Sequence, residues 1–129
     1  MTALAYVDAS AIVKLVIEEP ESMALLHWYR ECERIVTSRV GVIETRRAVR
    51  RRDNEANQLS AVLARLGVFE LDGQVDRLAG QLGPPALRTL DAIHIATALS
   101  IRSVDAFVTY DDRQADAARA VGLPVVRPA

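Results

Sequence analysis

The stretch Leu4-Ala5-Tyr6-Val7-Asp8-Ala9-Ser10-Ala11-Ile12-Val13-Lys14-Leu15-Val16-Ile17 decides how the rest of the chain is read. Leu4 to Val7 is a short apolar run that stops at an acid, which reads as a buried strand. Ser10 to Ile17 then reads as a helix. A buried strand passing straight into a helix belongs to a parallel α/β architecture, and the same alternation can be followed to the other end of the chain.

Pro20 starts a second helix, a position that suits proline, and the helix runs to about Glu33 with Leu25, Trp28, Tyr29 and Cys32 at helical spacing. Ile35 to Thr37 is a second strand, and Ser38 caps a helix through about Arg52. Asn54 caps the next helix through Leu66, which Gly67 ends. Val68 to Leu71 is a strand, and Asp72 caps a helix to about Leu82. Gly83-Pro84-Pro85 is a loop. Thr89 opens a helix to about Arg102, Ala106 to Thr109 is a strand, and Asp112 to Val121 is a helix with Gly122 as its C-cap. Val125-Val126 is a last short strand. The expected fold class is therefore α/β: one domain over residues 1–129, with a central parallel sheet of about four to five short strands flanked by helices. Ligands of such sheets bind beyond the carboxyl ends of the strands.

Bulk properties agree with one ordinary domain. The 129 residues are 50% hydrophobic and 26% charged, with a formal net charge of −1 that does not by itself announce a nucleic-acid binder. Cys32 is the only cysteine, so no intramolecular disulfide can form, as expected of a reducing compartment. No basic leader precedes the first apolar run, and no stretch approaches the roughly 20 apolar residues of a membrane span. A cytoplasmic protein without a membrane partner is the expectation.

The chemistry-bearing residues are acids. Asp8 follows the first strand and Asp111 the fourth, so a parallel sheet brings both to one edge. Each is also a good helix N-cap, and capping alone explains either one. Asp91 is different, because Leu90-Asp91-Ala92-Ile93-His94-Ile95-Ala96-Thr97-Ala98-Leu99 is apolar on nearly every face and reads as a buried helix. A carboxylate in its first turn needs a partner, and a divalent cation would supply one. Glu44 falls on or near the inward face of the third helix; the competing reading pairs it with Arg47 or Arg51 on the helix surface. Oxygen ligands without a Cys or His cluster favour a hard ion, Mg²⁺ or Mn²⁺, suited to phosphodiester hydrolysis. No Gly-rich phosphate loop is present.

Tyr6-Val7-Asp8-Ala9-Ser10-Ala11, Glu44, Leu90-Asp91-Ala92-Ile93-His94 and Val108-Thr109-Tyr110-Asp111 together resemble the PIN-domain nucleases, and the short single-domain form resembles the VapC toxins of bacterial toxin–antitoxin pairs. The likeness covers the whole chain in order and spacing. It implies a parallel-sheet α/β sandwich and Mg²⁺- or Mn²⁺-dependent endonucleolytic cleavage of RNA, with a structured RNA such as tRNA as target. It implies Asp8 and Asp91 as principal metal ligands, with Glu44 and Asp111 ligating directly or through water. Ser10 and Thr109 match supporting hydroxyl positions. Asp112 competes with Asp111, which is preferred because the Thr-x-Asp spacing fits. A cognate antitoxin and a homodimer are also implied.

Arg46, Arg47, Arg50, Arg51 and Arg52 crowd the end of the third helix. Arg46, Arg47 and Arg50 are candidates to hold an RNA backbone, while a solvated helix end needs no ligand to explain it. His94 reads as a hydrogen-bonded core histidine before an acid or base. His27 and Trp28 read as packing, or as a surface for a second copy or an antitoxin helix. Two alternatives stay open at this point. One is a non-catalytic partner-binding module whose acids are caps and salt bridges; the other is a DNA nuclease of the same chemistry. A small reading frame for a DNA-binding antitoxin just upstream would favour the toxin.

Overall fold

The computed structural model describes residues 2–52 and 57–129. Among these residues five strands form one sheet: β1 (Leu4–Val7), β2 (Arg34–Ser38), β3 (Gly67–Phe69), β4 (Ala106–Val108) and β5 (Val125–Val126). Every pairing is parallel and the order is β3-β2-β1-β4-β5. The helices are α1 (Ala9–Val16), α2 (Ser22–Tyr29), α3 (Arg39–Arg52), α4 (Leu59–Arg65), α5 (Gly73–Gln81), α6 (Thr89–Ser100) and α7 (Asp112–Ala120). Among the described residues, no helix is long and apolar enough to cross a membrane.

Strand alternation builds two cores. Ala5 and Val7 face Ile12 of α1, Leu25 and Tyr29 of α2, and Val62 and Leu63 of α4. Tyr6 faces the other way, packing with Ile95 and Ala98 of α6 and Ala118 of α7. Its ring stacks on Phe107 of β4, with centroids 5.2 Å apart and planes 4° from parallel. Helix α3 stands at the side and touches both α1 and α6. With helices covering both faces, the central strands are buried on both sides, which is why they read as unbroken apolar runs.

The chain starts in the middle of the sheet. It works outward to one side through β2 and β3, then crosses to β4 and β5 on the other. The crevice between the carboxyl ends of β1 and β4 is thus the topological switch point, where a parallel sheet leaves room for a ligand.

Most expected elements are present, with differences in the bounds of α2, the role of Gly67 and the length of β3. Helix α2 begins at Ser22 rather than Pro20 and closes at Tyr29, and Cys32 is reached through a turn in which its N–H bonds Tyr29 O at 3.1 Å. The residues after Tyr29 carry the charges Arg30, Glu31 and Glu33, which gain nothing from burial beside the sheet. Gly67 does not end α4; Leu66 closes that helix and Gly67 opens β3, beside Val36, where a Cβ would stand 3.1 Å from the valine side chain. The expected cap Asn54 lies outside the described residues. Strand β3 is shorter than the run Val68 to Leu71, and Leu71 is exposed. Gly122, at φ 86°, completes a C-terminal cap in which its own N–H bonds Arg119 O and the Leu123 N–H bonds Ala118 O.

Candidate active site

Asp8 leaves β1 at the switch point and caps α1, its Oδ1 accepting from the Ala11 N–H at 3.1 Å. The cap reading was right and leaves the carboxylate only partly used. Ser10 Oγ donates to the same oxygen at 2.6 Å, and Thr109 Oγ1 donates to Oδ2 at 2.5 Å. Ser10 Oγ in turn accepts from the Tyr110 N–H at 2.8 Å, and Thr109 Oγ1 from the Asp111 N–H at 3.1 Å. The two hydroxyls therefore tie the end of β1 to the end of β4 through one carboxylate. Asp8 is 4% exposed, so these donors replace the water it has lost.

Asp111 repeats the arrangement after β4. Its Oδ1 caps α7 by accepting from the Gln114 N–H at 3.1 Å, and its Oδ2 accepts from Arg88 Nη2 at 3.1 Å. Asp112 points elsewhere, to Arg127 Nη1 at 2.8 Å, and its side chain is exposed. Asp91 enters from the first turn of α6, nearly buried, and its Oδ2 accepts from Arg88 Nε at 3.1 Å. Burial pushes the Asp91 carboxyl above its ordinary value, against the pull of Arg88.

Glu44 is on α3 and does not pair with Arg47 or Arg51. Its Oε1 lies 2.6 Å from His94 Nε2, and the Nδ1 of that ring lies 2.7 Å from the Tyr6 hydroxyl. A carboxylate only accepts, so Nε2 carries the proton, and Nδ1 accepts from Tyr6. Burial holds the Tyr6 hydroxyl well above its ordinary pKa, so it stays a donor. His94 is a core histidine, as its sequence suggested, but one whose outer nitrogen fixes Glu44.

The sequence-derived residues thus converge. Asp8, Ser10, Glu44, Asp91 and Asp111 line one cleft of about 340 Å³, with Thr109 directly behind Asp8. Arg88, His94 and Gln114 line it too, and these were not anticipated as site residues. A signal for two of them was available: Arg88 and His94 stand three residues before and after Asp91, one helical turn on either side. Of the three candidate RNA-binding arginines, Arg46, Arg47 and Arg50, none lines the cleft, and all are exposed. Arg46 lines a separate depression with Arg39, Val42, Ser60, Leu63 and Val68. Arg47 and Arg51, at i+3 and i+7 from Glu44, are on its side of α3.

The donor set fits a hard divalent cation. The cleft offers carboxylate oxygens and hydroxyls, no thiol, and one imidazole already engaged on both nitrogens. Gln114 Oε1 is buried there without a protein partner, an acceptor left for a water or a ligand of the ion. Among the described residues no three His, Cys, Asp or Glu side chains stand close enough together to hold an ion; Arg88 pairs with both Asp91 and Asp111, and His94 with Glu44. Mg²⁺ and Mn²⁺ keep several waters and need few direct carboxylates.

Fold and cleft define the class: a parallel α/β domain with an acidic, oxygen-lined crevice at its switch point. The model of the PIN domain matches residues 5–120, and the chain belongs to the PIN domain family. Ribonuclease VapC46 of Mycobacterium tuberculosis is 42% identical over 128 residues, covering 98% of each chain. Ribonuclease VapC35 of the same organism is 44% identical over 129 residues, covering 95% of this chain and 96% of its own. Among solved structures, Mycobacterium tuberculosis VapC20, described as a sarcin-ricin loop cleaving toxin, superposes with a TM-score of 0.75 at 18% identity, covering 96% of this chain and 99% of its own. A toxin–antitoxin complex from Klebsiella pneumoniae gives 0.72 at 18% identity, covering 97% and 98%. The two structural likenesses speak for the fold.

Proposed function

We propose that the chain is a divalent-metal-dependent endoribonuclease acting as the toxin of a toxin–antitoxin pair. The observation that carries this reading is the convergence of Asp8, Glu44, Asp91 and Asp111 from four separate elements on one cleft at the switch point. Near-full-length relatives named ribonucleases support RNA as substrate over DNA.

In this reading Asp8 and Asp91 hold the ion, Mg²⁺ or Mn²⁺, and Glu44 and Asp111 bind it directly or through water. The bound cation supplies an activated water and neutralises phosphate charge. Ser10 and Thr109 fix both oxygens of Asp8, as outer-shell donors do for metal-binding carboxylates. His94 holds Glu44 facing the cleft, with Tyr6 fixing the ring. Arg47, with Arg51, grips the RNA backbone beside Glu44; Arg46 and Arg50 reach it only from the flank. The partners are a structured RNA such as tRNA, a cognate antitoxin and a second copy of the chain, all in the cytoplasm. The exposed Met23, with Leu15 and Leu26 beside the depression between α1 and α2, is a suitable apolar surface for a protein partner.

Induced expression in a bacterial host tests the toxin reading. Wild type is expected to stop growth with RNA fragmentation, while Glu44→Gln at the same folded level is expected to be harmless. Equal arrest by both variants would show that the acids are not the source of toxicity.

A further inference from the structure

Arg88 is the residue of the cleft for which cleavage chemistry has no use as it now stands. It is the N-cap of α6 but makes no side-chain cap bond. Its guanidinium instead spans two elements, with Nε to Asp91 Oδ2 and Nη2 to Asp111 Oδ2, each at 3.1 Å. Those are two of the four acids of the proposed metal site. The side chain is 57% exposed, while that of Asp91 is 11% exposed. A solvent-exposed cation is thus paired with a nearly dry anion.

Arg88 also has somewhere to go. It stands on the boundary between two cavities, lining the acidic cleft on one side and, on the other, an apolar groove of about 480 Å³ that contains Leu87, Ala117 and Asp116. Moving outward breaks two ion pairs, and the groove already holds Arg113 as a second cation.

We propose that Arg88 is the site's own counter-ion, a positioning residue that bridges Asp91 and Asp111 in the metal-free protein and competes with the divalent cation for them. The inference rests on the metal-binding reading given above. Four carboxylates in one crevice repel each other, and a single guanidinium between two of them relieves that repulsion while the protein folds without metal. The same charge opposes the ion when it arrives. If the guanidinium stays, it repels a doubly charged neighbour across a few ångströms; if it leaves, its two ion pairs are lost. Both routes weaken metal binding, so the sign does not depend on which one operates. Arg88 thereby sets the metal concentration at which the site loads.

The test is Mn²⁺ binding by calorimetry, with the melting temperature of the metal-free protein measured beside it. Arg88→Gln is expected to lower the metal-free melting temperature and to tighten Mn²⁺ binding by about tenfold, the scale of one unit charge removed from a few ångströms. Arg88→Lys, which keeps the charge but not the fork, is expected to bind Mn²⁺ with an affinity close to wild type. Unchanged or weaker Mn²⁺ binding in a folded Arg88→Gln would overturn the proposal. Should Arg88→Gln not fold, Arg88→Lys binding tenfold tighter than wild type would overturn it equally. A wild type that binds no Mn²⁺ would instead overturn the metal-binding reading on which it rests.

Discussion

Asp91 is held in a place that disfavours its charge, and this has a measurable consequence. Its carboxyl is raised above the ordinary aspartate value by burial, with Arg88 opposing. A group that binds its proton more tightly when folded stabilises the fold at pH below its unfolded pKa. That contribution is lost as pH rises through the folded pKa. At neutral pH, without metal, Asp91 is therefore a net cost, and Asp91→Asn should melt no lower than wild type. The difference should shrink towards acid pH, where both side chains are neutral. Melting curves across pH in EDTA check this; a large loss of stability at neutral pH would mean that the Arg88 pair dominates. Asp8, Asp91 and Asp111 were legible in the sequence because each stands at a strand end or in an otherwise apolar helix. The spacing of Arg88 and His94 from Asp91 was legible too, but their partners were not, because what they touch depends on α3, α6 and β4 meeting in space. Glu44 had local arginines as obvious partners, yet it is held by a histidine fifty residues away in sequence.

At the scale of elements, the cleft depends on how closely α3 approaches α6. Gly41, in the first turn of α3, makes that approach possible: a Cβ there would stand 2.4 Å from Thr37 Oγ1 and 3.1 Å from His94 Cε1. Thr37 is β-branched and fully buried, so it cannot simply turn away. Gly41→Ala should cost about 1–3 kcal/mol by overpacking and shift His94, lowering metal-dependent cleavage as well as stability. Denaturant melts and cleavage assays on the same samples would show both losses; a stable, fully active variant would mean that α3 sits further out. Helix starts marked by a side-chain cap were legible: Asp8, Ser38, Asp72 and Asp111 all accept from the N–H three residues on. The ends of α2 and the start of β3 were not, since helical spacing continues past Tyr29 and Gly67 serves a strand as well as a stop.

For the whole molecule, alternation of strands and helices gave the parallel sheet, but nothing in one sequence orders its strands. The order β3-β2-β1-β4-β5 is what places Asp8 beside Asp111 and leaves the crevice between them. Charge behaves similarly: the net value of −1 conceals a run of arginines at one end of α3. If Arg47 and Arg51 flank the cleft on Glu44's side, replacing both by Ala should weaken RNA binding. It should also reduce the slope of log affinity against log salt by roughly one to two units. Arg46→Ala should have a smaller effect, because that residue lines a different depression. Binding titrations at several salt concentrations, in EDTA to prevent cleavage, distinguish these; equal effects from all three would mean that RNA wraps around α3 rather than lying along the cleft.

Whether the acidic cleft cleaves RNA is decided by incubating a total RNA pool with the purified chain, with Mn²⁺ or Mg²⁺, with EDTA, and beside Asp8→Asn. Discrete fragments are expected that require the metal and disappear in Asp8→Asn, whose fold is unchanged by circular dichroism. Fragments that persist in EDTA, or that a folded Asp8→Asn still produces, would contradict metal-dependent cleavage at this cleft.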